Sequence, residues 1–344
     1  MFKKGLSYDD VLLVPQYSDI TSRDSGVDLG VDFGNGLCLS LPIFSAPMDT
    51  ISEYAMACAM ACAGGTAVIH RYNTIDEQLN QINYAEAGSG IDFNVGAAIA
   101  VTGDFIQRAT KIINEGRAKF ICVDVAHGHH ILVKKALILL RKELGDDVHI
   151  MAGNVATLKA LNDLSDWGAD SVRCGIGGGS ICSTRIQTGH GVPGFQTILD
   201  CAETDRDVKI IADGGIRNAG DIVKALAAGA DGVMAGSLFS GTTQTPGEIF
   251  QEPGGVYKTY RGMASKEAQI EWRGHFSSDE GVTTRVPYRG DVFNILRALK
   301  KNVKGGLSYS GAKNIKELHA KAEFIIQTPA GSIESQTHIL SRKW

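Results

Sequence analysis

KIIADGGIRNAGDIVKALAAGADGVMAGS (209–237) holds two strand-like runs with a helix-like run between them. The first apolar run ends in the small and polar residues ADGG (212–215). DIVKALAAGA (221–230) then places Val223, Leu226, Ala227 and Ala230 on one helical face, with Asp221 and Lys224 outside that stripe. GVMAGS (232–237) resumes the β-rich pattern and again ends in glycine and serine. The stretch therefore reads as one β–α–β unit.

The same unit recurs upstream. Short apolar runs stand at PIFSAPM (42–48), GTAVIH (65–70), NVGAAIA (94–100), FICVDVA (120–126), HIMAGNV (149–155) and SVRCGI (171–176). With the two above there are eight, most of them starting roughly 22 to 30 residues apart, the length of a strand, a helix and two loops. Near-continuous apolar runs fit parallel strands buried on both faces. A doubly wound open sheet alternates in the same way, but eight regular units are long for it, so the expected fold is α/β, a (βα)8 TIM barrel. The gap from Ser171 to Lys209 is longer than the rest, so the loop after strand 6 is extended, and loops at strand C-termini build barrel active sites.

About a hundred residues follow the eighth strand. They include VYKTYRGMAS (256–265), WRGHFSSDEGVTTR (272–285) and LSYSGAKNIKELHAKAEFIIQT (307–328). The middle one has neither helical nor strand period, and residues 266–286 read as a mobile lid. No linker divides the 344 residues, which read as a single barrel domain.

A net charge of -4 gives no basic excess for nucleic acid, and no apolar stretch of membrane-spanning length occurs. The opening MFKKGLSYDD lacks the apolar core of a signal peptide. Seven cysteines without a C-x-x-C pair argue against zinc ribbons, and most read as small core residues of a cytoplasmic protein.

Chemistry concentrates at the strand ends. ADGGIRNAGD (212–221) and MAGSLFSG (234–241) end strands 7 and 8, where glycine lets backbone N–H groups approach an anion and a following helix N-terminus favours it. A phosphate site and plain turns both fit these glycines. Asp213 suits a ribose diol or a structural cap. RCGIGGGSICSTR (173–185) carries Cys182 past a glycine-rich turn, with Ser180, Ser183, Thr184 and Arg185 around it. That polar setting fits a nucleophile better than a core cysteine, whereas Cys174 reads as core. His127, His129 and His130 are poorly spaced for zinc, and Asp124 and Asn154 read as groups that position a cofactor or nucleoside.

SYDDVLLVP, SAPMDT, VIHRY, VDVAHGH, AGNVAT, GIGGGSICSTR, ADGGIRNAGDIVKALAAGA, YRGM and SGAKNIKEL occur in this order along nearly the whole chain. Together they resemble the IMP dehydrogenase/GMP reductase family. The resemblance implies that Cys182 attacks C2 of a purine nucleoside monophosphate, GMP or IMP. It implies that Ser180, Gly215, Gly236, Ser237 and Tyr260 hold the phosphate and Asp213 the ribose. Met48, Gly262, Met263 and Ala264 would lie near the base, and Asp124, Asn154 and Arg185 would face the nicotinamide or the reacting centre. Family members also bind potassium through carbonyls of the cysteine loop, here Gly177, Gly179 and Cys182. The usual Gly-Pro-Gly reads Gly177-Gly178-Gly179, a looser turn. Homotetramers, some pairing into octamers, are the family's assembly.

Four features favour the reductase side of the family. HRYNTIDEQLNQINYAEAGSGIDFNVGAA (70–98) leaves no room for the CBS regulatory insertion usual in dehydrogenases. Where their lid carries an Arg-Tyr pair, this chain has Gly274-His275-Phe276. Thr184 and Glu280 match the reductase pair that protonates departing ammonia. TGHGVPGFQ (188–196) also resembles a subset of bacterial reductases. The expected activity is NADPH-dependent reductive deamination of GMP to IMP. The alternatives are NAD-dependent oxidation of IMP to XMP, with Arg273 or Arg285 replacing the missing base, and a non-catalytic purine nucleotide-binding barrel.

Overall fold

The computed structural model describes residues 3–89 and 93–337. Met1 and Phe2 of the opening segment, and residues 90–92 of the stretch read as leaving no room for an insertion, lie outside them. Eight parallel strands close into a barrel: β1 (Ile43–Ser45), β2 (Thr66–Ile69), β3 (Val95–Ile99), β4 (Phe120–Asp124), β5 (His149–Val155), β6 (Ser171–Cys174), β7 (Lys209–Asp213) and β8 (Gly232–Ala235). Each falls inside one of the eight apolar runs, and β8 pairs with β1 through Val233–Ile43 and Ala235–Ser45 to close the ring.

One set of strand side chains fills the barrel interior. Phe44, Val68, Ala98, Phe120, Met151, Ile211 and Met234 form a single buried cluster with Phe33, Leu37 and Leu39. The last three come from the hairpin Val31–Asp32/Cys38–Leu39. Phe33 meets Phe44 edge-on at 5.3 Å, and Phe44 meets Phe120 at 6.2 Å. The hairpin thus plugs the N-terminal end with apolar rings and leaves the other end for polar groups. The opposite strand faces pack on the surrounding helices in a second, larger cluster.

The helix Ala219–Ala227 is capped by Asn218, whose side chain accepts from the Asp221 N–H. Asp221, expected outside the apolar stripe, is buried. Arg217 explains this: its backbone N–H and guanidinium Nε both donate to Asp221 Oδ2, at 3.0 and 2.9 Å. After β8 the expected helix N-terminus is replaced by turns, in which Phe239 N–H donates to Gly236 O and Ser240 N–H to Ser237 O. Of the cysteines, Cys122, Cys174 and Cys201 are buried, but Cys38 and Cys62 are exposed.

The lid region is more regular than its sequence implies. Ser265 caps a helix over Lys266–Arg273, which Gly274 ends in the left-handed region. Thr283–Pro287 is a strand paired antiparallel with Gly255–Arg261, which in turn pairs with Ile249–Glu252. The Thr283–Pro287 strand is exposed along most of its length, so no alternation of apolar residues marks it. No described helix is long and apolar enough to cross a membrane.

Candidate active site

A cavity of about 400 Å³ opens at the C-terminal end of the barrel, within the size range of small-molecule sites. The loop after β6 supplies Gly177, Gly179, Ser180, Cys182 and Thr184; the end of β7 and the turns after β7 and β8 supply Asp213, Gly215, Gly236 and Ser237. Met48, Asp124, Asn154, Tyr260, Gly262, Met263, Ala264 and Glu280 complete the expected set. Arg185 stands apart: it is exposed outside this lining, its Nη2 donates to Val192 O, and its stem packs over Gly177 and Gly191.

Cys182, Thr184 and Glu280 form a chain. The Cys182 thiol donates to Thr184 Oγ1 at 3.2 Å, and Thr184 Oγ1 donates to Glu280 Oε2 at 2.9 Å. Glu280 is 96 residues beyond Thr184, and backbone pairing brings it there. Ser183 N–H donates to Glu280 O at 3.1 Å, and Val282 N–H donates to Ile181 O at 3.0 Å. Ser183 Oγ adds a bond to Asp279 O. The cysteine loop and the end of the lid are therefore stitched edge to edge.

At the strand ends below lies a buried charge network. Arg173 donates from Nη1 to Asp124 Oδ1 at 2.7 Å and from Nη2 to Asp213 Oδ2 at 2.9 Å. Asn154 Nδ2 donates to the same Asp213 oxygen at 2.7 Å and to Gly175 O at 3.0 Å. Arg71 Nε reaches Asp124 Oδ2 at 3.4 Å. Burial alone would raise the Asp124 pKa, but the Arg173 and Arg71 guanidinium groups outweigh it and hold it below the usual carboxylate range. The same carboxylates keep Arg173 protonated against its own burial. Neither arginine was singled out in the sequence. The available signal was a lone cation, Arg173, inside the apolar run SVRCGI.

Two glycines of the site stand in close approach to their neighbours. A Cβ on Gly175 would lie 1.9 Å from Asp213 O, and its φ of +155 disfavours any side chain. A Cβ on Gly236 would lie 2.8 Å from Met48 Sδ and 3.3 Å from Tyr260 Oη. Tyr260 Oη and Ser180 Oγ stand 3.4 Å apart, and burial raises the Tyr260 pKa, so its hydroxyl stays a proton donor. With Gly215 and Ser237 these hydroxyls make a neutral, donor-rich corner suited to an anion.

The three neighbouring histidines diverge. His127 is exposed, His129 bonds Asp163 at 2.6 Å, and His130 caps a helix by accepting from Leu132 N–H. Among the described residues no group of three or more histidine, cysteine or acidic side chains could hold a metal ion. Arg273 lines the cavity, while Arg285 is outside its lining and pairs with Glu252.

A thiol linked through a threonine to a carboxylate, beside a corner rich in hydroxyl and backbone donors at the mouth of a (βα)8 barrel, is the arrangement of a candidate active site. Comparison with known proteins gives the family. A family model described as the IMP dehydrogenase/GMP reductase domain matches residues 5–338. The inosine-5′-monophosphate dehydrogenase of Nitrosopumilus maritimus is 35% identical, the match covering 98% of this chain and 98% of that protein. That of Cryptosporidium parvum is 34% identical over 97% of this chain and 95% of its own. A Cys-to-Ala variant of GMP reductase from Trypanosoma brucei, in complex with guanosine 5′-monophosphate, superposes with a TM-score of 0.91 at 29% identity, over 98% of each chain. The chain belongs to the IMP dehydrogenase/GMP reductase family, oxidoreductases that use a nicotinamide cofactor. The Nitrosopumilus match runs over 474 aligned positions against 344 residues here, so that protein carries segments without a counterpart in this chain.

Proposed function

We propose that this chain is a GMP reductase, converting GMP, NADPH and a proton to IMP, ammonia and NADP+. The Cys182–Thr184–Glu280 chain, with links of 3.2 and 2.9 Å, carries this reading. Cys182 Sγ bonds to purine C2 and its proton passes through Thr184 to Glu280. The C2–N bond then breaks, and the same relay returns a proton to the departing amine, which leaves as ammonia. NADPH, when bound, would supply the hydride that takes the place of the amine at C2; the C–S bond breaks, and a proton taken up from solvent returns Cys182 to its thiol. Asp124 and Asn154, which line the same cavity, are assigned to the nicotinamide side. Gly179 O accepts the Cys182 N–H at 3.1 Å and keeps a second lone pair, so Gly177, Gly179 and Cys182 carbonyls could hold potassium.

The curated relatives favour a second reading, an IMP dehydrogenase, because those at 31% to 35% identity carry that name. That reaction needs a base to activate water. Arg273 donates to Gln269 Oε1, Ser277 Oγ and His275 O, which engage its guanidinium. Arg285 is paired with Glu252. Both replacement bases are engaged, which supports the reductase. A paired absorbance assay tests it. Loss of NADPH absorbance with GMP, with ammonia produced, is expected; NADH formation from IMP, NAD+ and potassium instead would make the chain a dehydrogenase.

A further inference from the structure

We propose that Gln269 is a positioning residue whose side-chain amide anchors the end of the lid and so sets Glu280 on Thr184. The inference rests on the reductase reading above. Gln269 lies on the lid helix, lines the cavity and is 2% exposed. Both ends of its amide are engaged. Nε2 donates to Ser278 O at 2.7 Å, to Ala264 O at 2.9 Å and to Ser265 O at 3.3 Å. Oε1 accepts from the Ser277 N–H at 3.2 Å, from Ser277 Oγ at 3.4 Å and from Arg273 Nη2. One side chain therefore ties the start of the lid helix, at 264–265, to the returning loop, at 277–278.

The next residues are the ones that matter for proton transfer. Asp279 O and Glu280 O receive Ser183, and Glu280 Oε2 receives Thr184. The cysteine loop holds the far side of this segment and Gln269 holds the near side. Without the amide, the segment from Gly274 to Asp279 is free to pivot about the backbone pairing at Gly281. A hydroxyl–carboxylate bond of 2.9 Å tolerates little displacement, because hydrogen bonds weaken steeply with distance and angle. Gln269 touches no reacting atom in this scheme; it acts through Glu280.

The test follows ammonia release and NADPH oxidation separately in single turnovers, with enzyme in excess of GMP. Gln269→Leu is expected to slow ammonia release by about ten-fold or more, with less than about a two-fold change in the KM for GMP. Introduced into Glu280→Gln, the same change should cost less than about two-fold, because the group it positions is already gone. Unchanged ammonia release in Gln269→Leu overturns the inference, and so does a full additive loss in the double variant. If Gln269→Leu unfolds, Gln269→Glu answers the same question: it keeps an oxygen toward Arg273 and turns the other end against three carbonyls. Its expected slowing is again confined to ammonia release, and a wild-type rate overturns the inference. A wild-type enzyme that releases no ammonia from GMP removes the reductase reading and this inference together. Wild-type activity with an unimpaired Gln269 variant removes this inference alone.

Discussion

Replacing Arg173 with methionine keeps the side-chain volume and removes the cation between two buried carboxylates. Arg173, Asp124 and Asp213 side chains are 7%, 14% and 12% exposed, so solvent screens them weakly. Removing one partner of a buried pair costs about 3–5 kcal/mol, because the remaining charge is left without compensation. Here both acids keep a second donor: Asp213 retains Asn154 at 2.7 Å and Asp124 retains Arg71 at 3.4 Å. The expected loss is therefore at the low end, about 3 kcal/mol at pH 7. The pH trend gives a sharper check. In the wild type the Asp124 pKa is depressed, so its contribution is present above the ordinary Asp pKa and disappears only as pH falls through the lower folded value. In Arg173→Met burial is opposed by Arg71 alone, and the folded pKa rises above the unfolded one. The folded state then binds more protons, and the variant's deficit shrinks as pH falls from 7 to 5. Urea unfolding of both proteins at pH 7 and pH 5 measures this. A deficit under about 1 kcal/mol at pH 7, or one that grows on acidification, would refute the account of Arg173 as the charge that permits two buried acids.

Cys182→Ala is expected to bind GMP within a few-fold of wild type by calorimetry and to show no turnover; near-wild-type turnover ends the covalent scheme. Gly236→Ala should weaken nucleotide binding by about ten-fold, since its Cβ would stand 2.8 Å from Met48 Sδ, and an unchanged Kd would count against the packing argument. His149 is fully buried on β5 against Ser171 Oγ at 2.8 Å, and burial lowers its pKa to about 4. Its neutral form favours the fold above the unfolded pKa near 6.5. That contribution is lost as pH falls toward 4, a drop of about 3 kcal/mol. His149→Gln should flatten the stability profile between pH 6.5 and 4, as followed by denaturant midpoints.

The barrel was legible because parallel strands are buried on both faces, so each strand survives as an apolar run wherever the chain places it. The glycine-rich strand ends and Cys182 were legible for a related reason: close backbone approach and polar flanks are local properties. The Thr283–Pro287 strand was not, because an exposed strand on the outer flap has no burial pattern to leave in the sequence. Arg185 entered the expected site through the family resemblance, and the one-turn helix Thr184–Thr188 carries its guanidinium to Val192 O.

The sequence by itself determined which residue types are available: a nucleophile after a glycine turn, carboxylates at strand ends, a threonine and a glutamate 96 positions apart. Only the tertiary structure decided which of them meet. Arg173 joins Asp124 on β4 to Asp213 on β7 because barrel closure points three strand ends at one axis. Gln269 and the Ser183–Glu280 pairing bring a lid residue to the cysteine loop. Spacing along the chain carries no record of either contact, because one arises from closure of the barrel and the other from a lid that folds back over it, where sequence separation and distance in space are unrelated.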